Sequence, residues 1–369
     1  MTWNWQNPDW PHFKWDQGRI SAAEQHFLLG AGVAIGAAKH LGEDEQRQLV
    51  VELMSGEAVD TSAIEGEVLD RASIQSSILR QFGLVAPDQR RGTPAERGIA
   101  EMMVDLYRRA AEPLSAEMLF AWHRMVTAGR RDLADIGRYR TSEEPMQIVS
   151  GPIGRTHVHF EAPPSRRVAT EMKRFIAWFN RTGPGCGDEL PAITRAGIAH
   201  LYFESIHPFE DGNGRIGRAI AEKAITQIMG QPVFTAVGTT IRAHQKSYYG
   251  ALERANKKSE ITEWLVWFAD IALEAQRRGV ALVEFIIAKT KVLESLRGQI
   301  NQRQQKALLR MFREGPSGFE GGLSAGNYST ITGASPATTT RDLADLVDKG
   351  ALVRTGERKH ARYTLKLSR

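Results

Sequence analysis

One cysteine, Cys186, in a chain of 369 residues rules out an intramolecular disulfide and fits a reducing compartment. The opening Met-Thr-Trp-Asn-Trp-Gln has neither the basic stretch nor the apolar run of a secretory leader. No uninterrupted apolar span reaches membrane length. The expectation is a cytoplasmic protein without a membrane partner. Two common nucleotide signatures are also missing. A P-loop needs a lysine after its second glycine, and no such lysine is present. A dinucleotide fingerprint needs a strand before its glycines, whereas Ile198, Leu201, Tyr202 and Ile206 give residues 192–206 a helical stripe. No cysteine or second nearby histidine joins His207 and Asp211 to complete a zinc set. What the chain does have is 42% hydrophobic residues, enough for a large core and two or three structural units.

The chemistry is concentrated in residues 207–218, His-Pro-Phe-Glu-Asp-Gly-Asn-Gly-Arg-Ile-Gly-Arg. Gly212 and Gly214 allow positive φ and close backbone approach, so successive N–H groups can converge on an anion. Ile216, Ile220, Ile225 and Ile228 then recur among alanines near helical period. A helix starting there turns its unpaired N–H groups and positive dipole end back on the loop. Arg215 and Arg218 lie about one turn apart and can both fork onto phosphate oxygens. The bland alternative is a glycine-rich capping turn with solvated arginines. With His207 alongside, the pattern favours a phosphate site with a base beside it.

His207, Phe209, Asp211, Gly212, Asn213, Gly214, Arg215 and Arg218 fill every fixed position of His-x-Phe-x-Asp/Glu-Gly-Asn-Gly-Arg-x-x-Arg. The chain therefore resembles the Fic family of nucleotidyltransferases, whose studied members mostly move AMP from ATP onto a hydroxyl of a target protein. The resemblance implies a mainly α Fic-type helical bundle with a small β-hairpin flap. It implies that His207 is the general base for a Ser, Thr or Tyr hydroxyl, a role suited to imidazole. Asp211 would hold Mg²⁺, a hard ion that prefers oxygen ligands. Gly212, Asn213 and Gly214 would cradle the α- and β-phosphates through the backbone and the Asn amide, and Arg215 and Arg218 would take the β- and γ-phosphates. Phe209 belongs to the same nucleotide-site motif but is expected to plug the loop into the core. Related loops with lysine in place of Gly214 are associated with phosphate transfer. The loop reads phosphates and not the base, so UTP, GTP or CDP-choline stay open as donors beside ATP.

Thr61-Ser-Ala-Ile-Glu65-Gly66 would by itself be an ordinary helix end. In this chain it resembles the family's inhibitory motif Ser/Thr-x-x-x-Glu-Gly/Asn. The resemblance implies that Glu65 pairs with Arg218 and occupies the guanidinium that the γ-phosphate needs. In some relatives the same glutamate assists removal of AMP from a modified target.

Between these motifs, Met146-Gln-Ile-Val149 and Thr156-His-Val-His159-Phe-Glu flank a Gly/Pro stretch and predict a β-hairpin. His157 and His159 share a strand face and read as solvated histidines more readily than as metal ligands. In the family such a flap docks the target segment as an added strand, and Ile148, Val149 and Val158 are the candidate flap residues.

Trp3, Trp5, Trp10 and Trp15 crowd the first fifteen residues, an arm to be laid on an apolar surface of the same chain, with a homodimer contact as the competitor. Residues 1–95 are expected to form an N-terminal helical module carrying the inhibitory motif, with a breaker-rich boundary at 88–94, and 96–290 the catalytic core. Ser115 and Ser165 are expected N-caps, and helices are expected over 216–229, 240–256 and 260–290. From 297 to 369 the chain carries 13 Lys and Arg against 6 acidic residues, a net of +7, which leaves −2 for the rest of a +5 chain. Three helical stretches and a basic strand–turn–strand there resemble a winged helix-turn-helix module. Thr338, Thr339 and Arg341 would then face a major groove, and Arg358, Lys359 and Arg362 would approach phosphates. Two functions follow. The first is an autoinhibited protein adenylyltransferase acting on a target protein and on itself. The second is a DNA-binding regulator whose Fic core senses nucleotide.

Overall fold

Helical periodicity becomes helix along most of the chain: the computed structural model has fourteen α-helices and two antiparallel two-stranded sheets among the described residues. Those are residues 2–84, 92–151, 157–230, 235–315, 318–319 and 321–367, less the Lys359 side chain. Most of the expected boundary at 88–94 and the turn at 152–156 lie outside them. The chain divides into two compact units, Met1–Ile35 with Val50–Gly279, and Gly36–Leu49 with Val280–Arg369.

Eleven helices and one hairpin run through residue 295: α1 (Gly18–Ala38), α2 (Glu43–Ile64), α3 (Arg71–Gln81), α4 (Pro94–Arg108) and α5 (Ala116–Val126) precede β1 (Gln147–Ser150) and β2 (His157–Glu161). After the hairpin come α6 (Ser165–Arg181), α7 (Ala192–Ile206), α8 (Asn213–Met229), α9 (Val237–Ala243), α10 (Gln245–Ala255) and α11 (Thr262–Ser295). The stretch expected as one helix over 240–256 is broken at His244, whose φ of −116° and ψ of 25° leave the helical region. Local chemistry sets the helix starts. Thr93 and Glu96 cap α4 reciprocally, with Pro94 in the first turn. Ser115 accepts the Met118 N–H at the head of α5. Ser165 is instead the first residue of α6, and its hydroxyl donates to the Ser142 carbonyl, so the expected serine cap is absent.

The largest core gathers around α7, every residue of which is buried. A helix with no wet face must satisfy its polar side chains internally. Arg195 donates to the carbonyls of Phe179 and Ala224, Thr194 donates to Glu24, and His200 Nε2 lies 2.8 Å from the Tyr248 hydroxyl. The tryptophan arm folds back on its own chain. Trp3 packs edge-on against Phe160, Trp5 donates to the Glu161 carbonyl, and Trp10 donates to Glu171.

The second unit contains α12 (Gln302–Phe312), α13 (Ala325–Thr332), α14 (Pro336–Asp348) and the hairpin β3 (Leu352–Thr355)–β4 (Arg362–Leu365). Leu308, Leu323, Tyr328, Leu343 and Leu346 are fully buried there, and Asp342 gathers Asn301, Arg303 and Tyr328. Thr339 is 2% exposed. Its side chain points into this core and not outward as expected, because the first turn of α14 turns that position toward α12 and α13; Arg341 is exposed.

Candidate active site

The loop between α7 and α8 is made by two left-handed residues. His207 ends α7 with φ 48°, and Gly212 opens α8 with φ 80°. A Cβ on Gly212 would also lie 2.8 Å from Val126, so this position needs glycine twice over. Arg140, 3% exposed, holds the turn from below: its Nε donates to the His207 carbonyl at 2.8 Å and its backbone N–H to the Pro208 carbonyl. Its guanidinium also reaches the Pro163 carbonyl and Ser165, which ties the loop to the segment after β2. Burial lowers its pKa to about 10, which leaves it charged at neutral pH.

Phe209 is wholly buried, stacked on His123 with ring centroids 4.2 Å apart and bordered by Phe120, Tyr139 and Phe203. It is a packing anchor and presents nothing to a nucleotide. Asn213 departs from the expected role in a similar way. Its amide accepts the Phe209 N–H at 3.0 Å and donates to the Phe209 carbonyl at 2.8 Å, so the side chain is spent on the loop's own shape. At the start of α8 the backbone remains for an anion: among the described residues no side chain caps the helix, and the N–H groups of its first turn face the loop.

His207 is 14% exposed at the side chain, and its Nδ1 is buried and lies 3.6 Å from Glu204 Oε2. Nε2 is therefore the nitrogen left to act on a substrate. Burial pushes the Glu204 carboxyl up, but His207, His200 and Arg218 outweigh it and hold the group below its ordinary value. An ionised carboxylate thus backs the imidazole. Asp211 Oδ1 accepts the Gly212 N–H at 2.6 Å, and its other oxygen pairs with Arg130. Burial raises the Asp211 pKa and Arg215, the Gly212 N–H and Arg130 lower it, with a net fall.

Both arginines of the motif are held by the end of α2. Arg218, 1% exposed at the side chain, donates from Nη2 to Glu65 Oε1 at 2.7 Å and to the Thr61 carbonyl at 2.8 Å, and from Nε to Thr61 Oγ1 at 2.6 Å. Arg215 donates to Glu67 Oε2 at 2.8 Å. Gly66, with φ 84°, reverses the chain between the two glutamates so that both turn toward α8. A Cβ on Gly214 would fall 2.1 Å from Glu65 Oε1, so the bare backbone of α8 is what lets this carboxylate approach.

The expected flap residues are in the hairpin. Ile148 and Val149 are 40% and 48% exposed, Val149 pairs with Val158, and among the described residues no third strand joins this sheet. Glu67, Arg130, Arg140 and Glu204 are site residues that motif reading missed. Glu67 directly follows the expected inhibitory motif, Thr61–Gly66, and could have been flagged; the other three act through contacts with no local signal.

Comparison with known proteins finds Fic proteins similar to this chain. Residues 113–225 match the Fic/DOC family model, and residues 3–84 match a domain of unknown function, DUF4172. The protein adenylyltransferase fic-1 of Caenorhabditis elegans is 26% identical over 201 residues, covering 53% of this chain and 35% of that protein. The match thus spans about a third of the relative's length, as it does for the Caenorhabditis briggsae protein of the same name, which is 25% identical. The crystal structure of a Fic family protein from Desulfovibrio desulfuricans G20 shares the fold, with a TM-score of 0.52 and 23% identity over 93% of this chain and 95% of that one. A Fic domain containing signaling protein from Bacteroides thetaiotaomicron has the same TM-score at 16% identity, over 69% of this chain and 95% of its own. Among the described residues no helix is long and apolar enough to cross a membrane.

Proposed function

We propose that this chain, which belongs to the Fic/DOC family through residues 113–225, is an autoinhibited protein adenylyltransferase that moves AMP from ATP onto a protein hydroxyl. The observation that carries the reading is the meeting of a base, His207, with an uncapped helix N-terminus and two buried arginines, both engaged by Thr61, Glu65 and Glu67.

In the open state, the first-turn N–H groups of α8 receive the α- and β-phosphates, and Arg215 and Arg218 receive the β- and γ-phosphates. The target strand docks on the free edge of the β1–β2 hairpin, with Ile148, Val149 and Val158 beneath it. His207 Nε2 takes the proton of the target hydroxyl as its oxygen bonds to the α-phosphorus. The α–β phosphoanhydride bond breaks and pyrophosphate leaves. Glu204, against Nδ1, orients the ring and stabilises the imidazolium that forms. Asp211, a partly exposed ionised carboxylate with hard oxygen donors, fits a Mg²⁺ ion, which would neutralise phosphate charge once Arg130 gives way. No protein nucleophile is required, because the loop supplies positioning and charge.

Glu65 and the γ-phosphate compete for Arg218. In the closed state the triphosphate lacks that contact and does not align for attack. The test uses Glu65→Gly protein with Mg²⁺ and ATP labelled on either the α- or the γ-phosphate. Label from the α-position retained on protein supports AMP transfer; retention of the γ-label instead would overturn it. For residues 297–369, a net of +7 on three helices and a hairpin supports DNA contact as a second activity, and a gel-shift affinity that ignores salt would refute it.

A further inference from the structure

The β1–β2 hairpin and α10 bring together three side chains that the transfer chemistry does not use. On a regular strand, His157 and His159 would be two solvated imidazoles on one face. The pairing is not regular. Ile148 opposes Phe160 and Val149 opposes Val158, so His159 is the extra residue of a bulge, a device that re-aims a side chain. Its ring meets that of His157 edge-on at 4.5 Å and turns toward Glu253 of α10, with Nδ1 3.0 Å from Oε2.

We propose that His157, His159 and Glu253 form a binding site for a divalent late first-row transition metal ion of the Zn²⁺ type. One ligand atom from each lies within 4.8 Å of the others, and among the described residues no other group of three such side chains does so. Two imidazoles and one carboxylate make a donor set that borderline cations prefer and that Mg²⁺ and Ca²⁺ do not. Outer contacts are in place. Ser150 Oγ lies 2.6 Å from His159 Nε2, on the far side of the ring from Glu253, and Lys257 holds Glu253 Oε1 at 2.8 Å. Such partners fix ring orientation and hold ligating carboxylates. Ligand atoms about 2.0–2.1 Å from a tetrahedral ion stand about 3.4 Å apart. The exposed His157 ring has room to close that gap. Three protein ligands leave a position open to water, and a bound ion would fasten the hairpin to α10.

The site is tested by calorimetric titration of ZnCl₂ into the tag-free full chain in buffer containing excess Mg²⁺. The expected result is one ion per chain with micromolar or tighter affinity. His157→Ala and Glu253→Gln should each weaken binding at least tenfold, Ser150→Ala about tenfold, and His244→Ala, at a different His–Glu pair, should change nothing. Co²⁺ in the wild-type chain should give the intense visible absorption of a four-coordinate site, and hydrogen exchange of the β1–β2 amides should slow when Zn²⁺ is added. Absence of saturable Zn²⁺ binding, or equal affinity in the His157 and Glu253 variants, would overturn the proposal.

Discussion

Replacing Glu65 with glycine removes one partner of Arg218 and leaves two. The guanidinium keeps Thr61 Oγ1 and the Thr61 carbonyl, so it is not orphaned, and residue 65 lies just beyond the end of α2, where glycine costs little helix stability. The lost contact is a charge-assisted bond of 2.7 Å between a side chain 1% exposed and one 29% exposed. Bonds of this kind contribute about 1.5–3 kcal/mol. At about 1.4 kcal/mol per tenfold, the closed state should weaken by about 10- to 100-fold relative to the ATP-competent one. Self-labelling with ATP carrying the radiolabel on its α-phosphate should rise by that factor, while the melting temperature moves by only a few degrees. The matched comparison is ADP affinity, which does not involve the γ-phosphate and should change much less. Equal labelling rates for wild type and Glu65→Gly would refute the reasoning, because the Arg218 pairing would then restrain nothing.

Three further outcomes follow from the same geometry. Glu67→Gln should raise self-labelling by a few-fold, less than Glu65→Gly, because glutamine still offers Arg215 a neutral acceptor and Arg215 keeps its bond to the Val126 carbonyl; labelling above that of Glu65→Gly would reverse the ranking. Glu204→Gln should lower kcat by about 10²-fold with the ATP KM nearly unchanged, measured in the Glu65→Gly background; a matching rise in KM would make Glu204 a structural residue only. Burial lowers the His123 pKa from 6.5 to about 4, so between those values the unfolded chain binds more protons than the folded one. His123 therefore contributes stability above about pH 6.5 that is lost as pH falls toward about 4, on the order of 3 kcal/mol. Denaturant titrations of His123→Phe, which keeps an aromatic ring against Phe209, should show a flatter acid limb than wild type, and an unchanged limb would contradict the assignment.

Much of the site was legible because its determinants are local. Glycines that permit a left-handed turn, an isoleucine stripe and two arginines a turn apart specify a loop feeding a helix without reference to the rest of the fold. The Thr61–Gly66 segment was legible only through family resemblance, because nothing in its own composition points at Arg218. Sequence reading failed where a side chain's role depends on what faces it. Asn213 carries a phosphate-binding amide in isolation, but the Phe209 backbone sits within reach of both its ends. Glu253 lies 94 residues from His159, so the strand histidines looked merely solvated. Thr339 was misplaced by a rotation of the α14 face, since a step of one residue moves a side chain by about 100°. Gly214 has a second meaning that only the fold reveals: beyond offering bare backbone to a phosphate, it leaves room for Glu65.

The central claim is that His207 drives transfer of AMP and that the Thr61–Glu67 segment holds the site off. Intact-mass spectra of Glu65→Gly and of Glu65→Gly/His207→Ala, each incubated with Mg²⁺ and ATP, test it most directly. The account predicts an AMP-sized gain in the first protein and none in the second. No gain in the first, or the same gain in both, would contradict it.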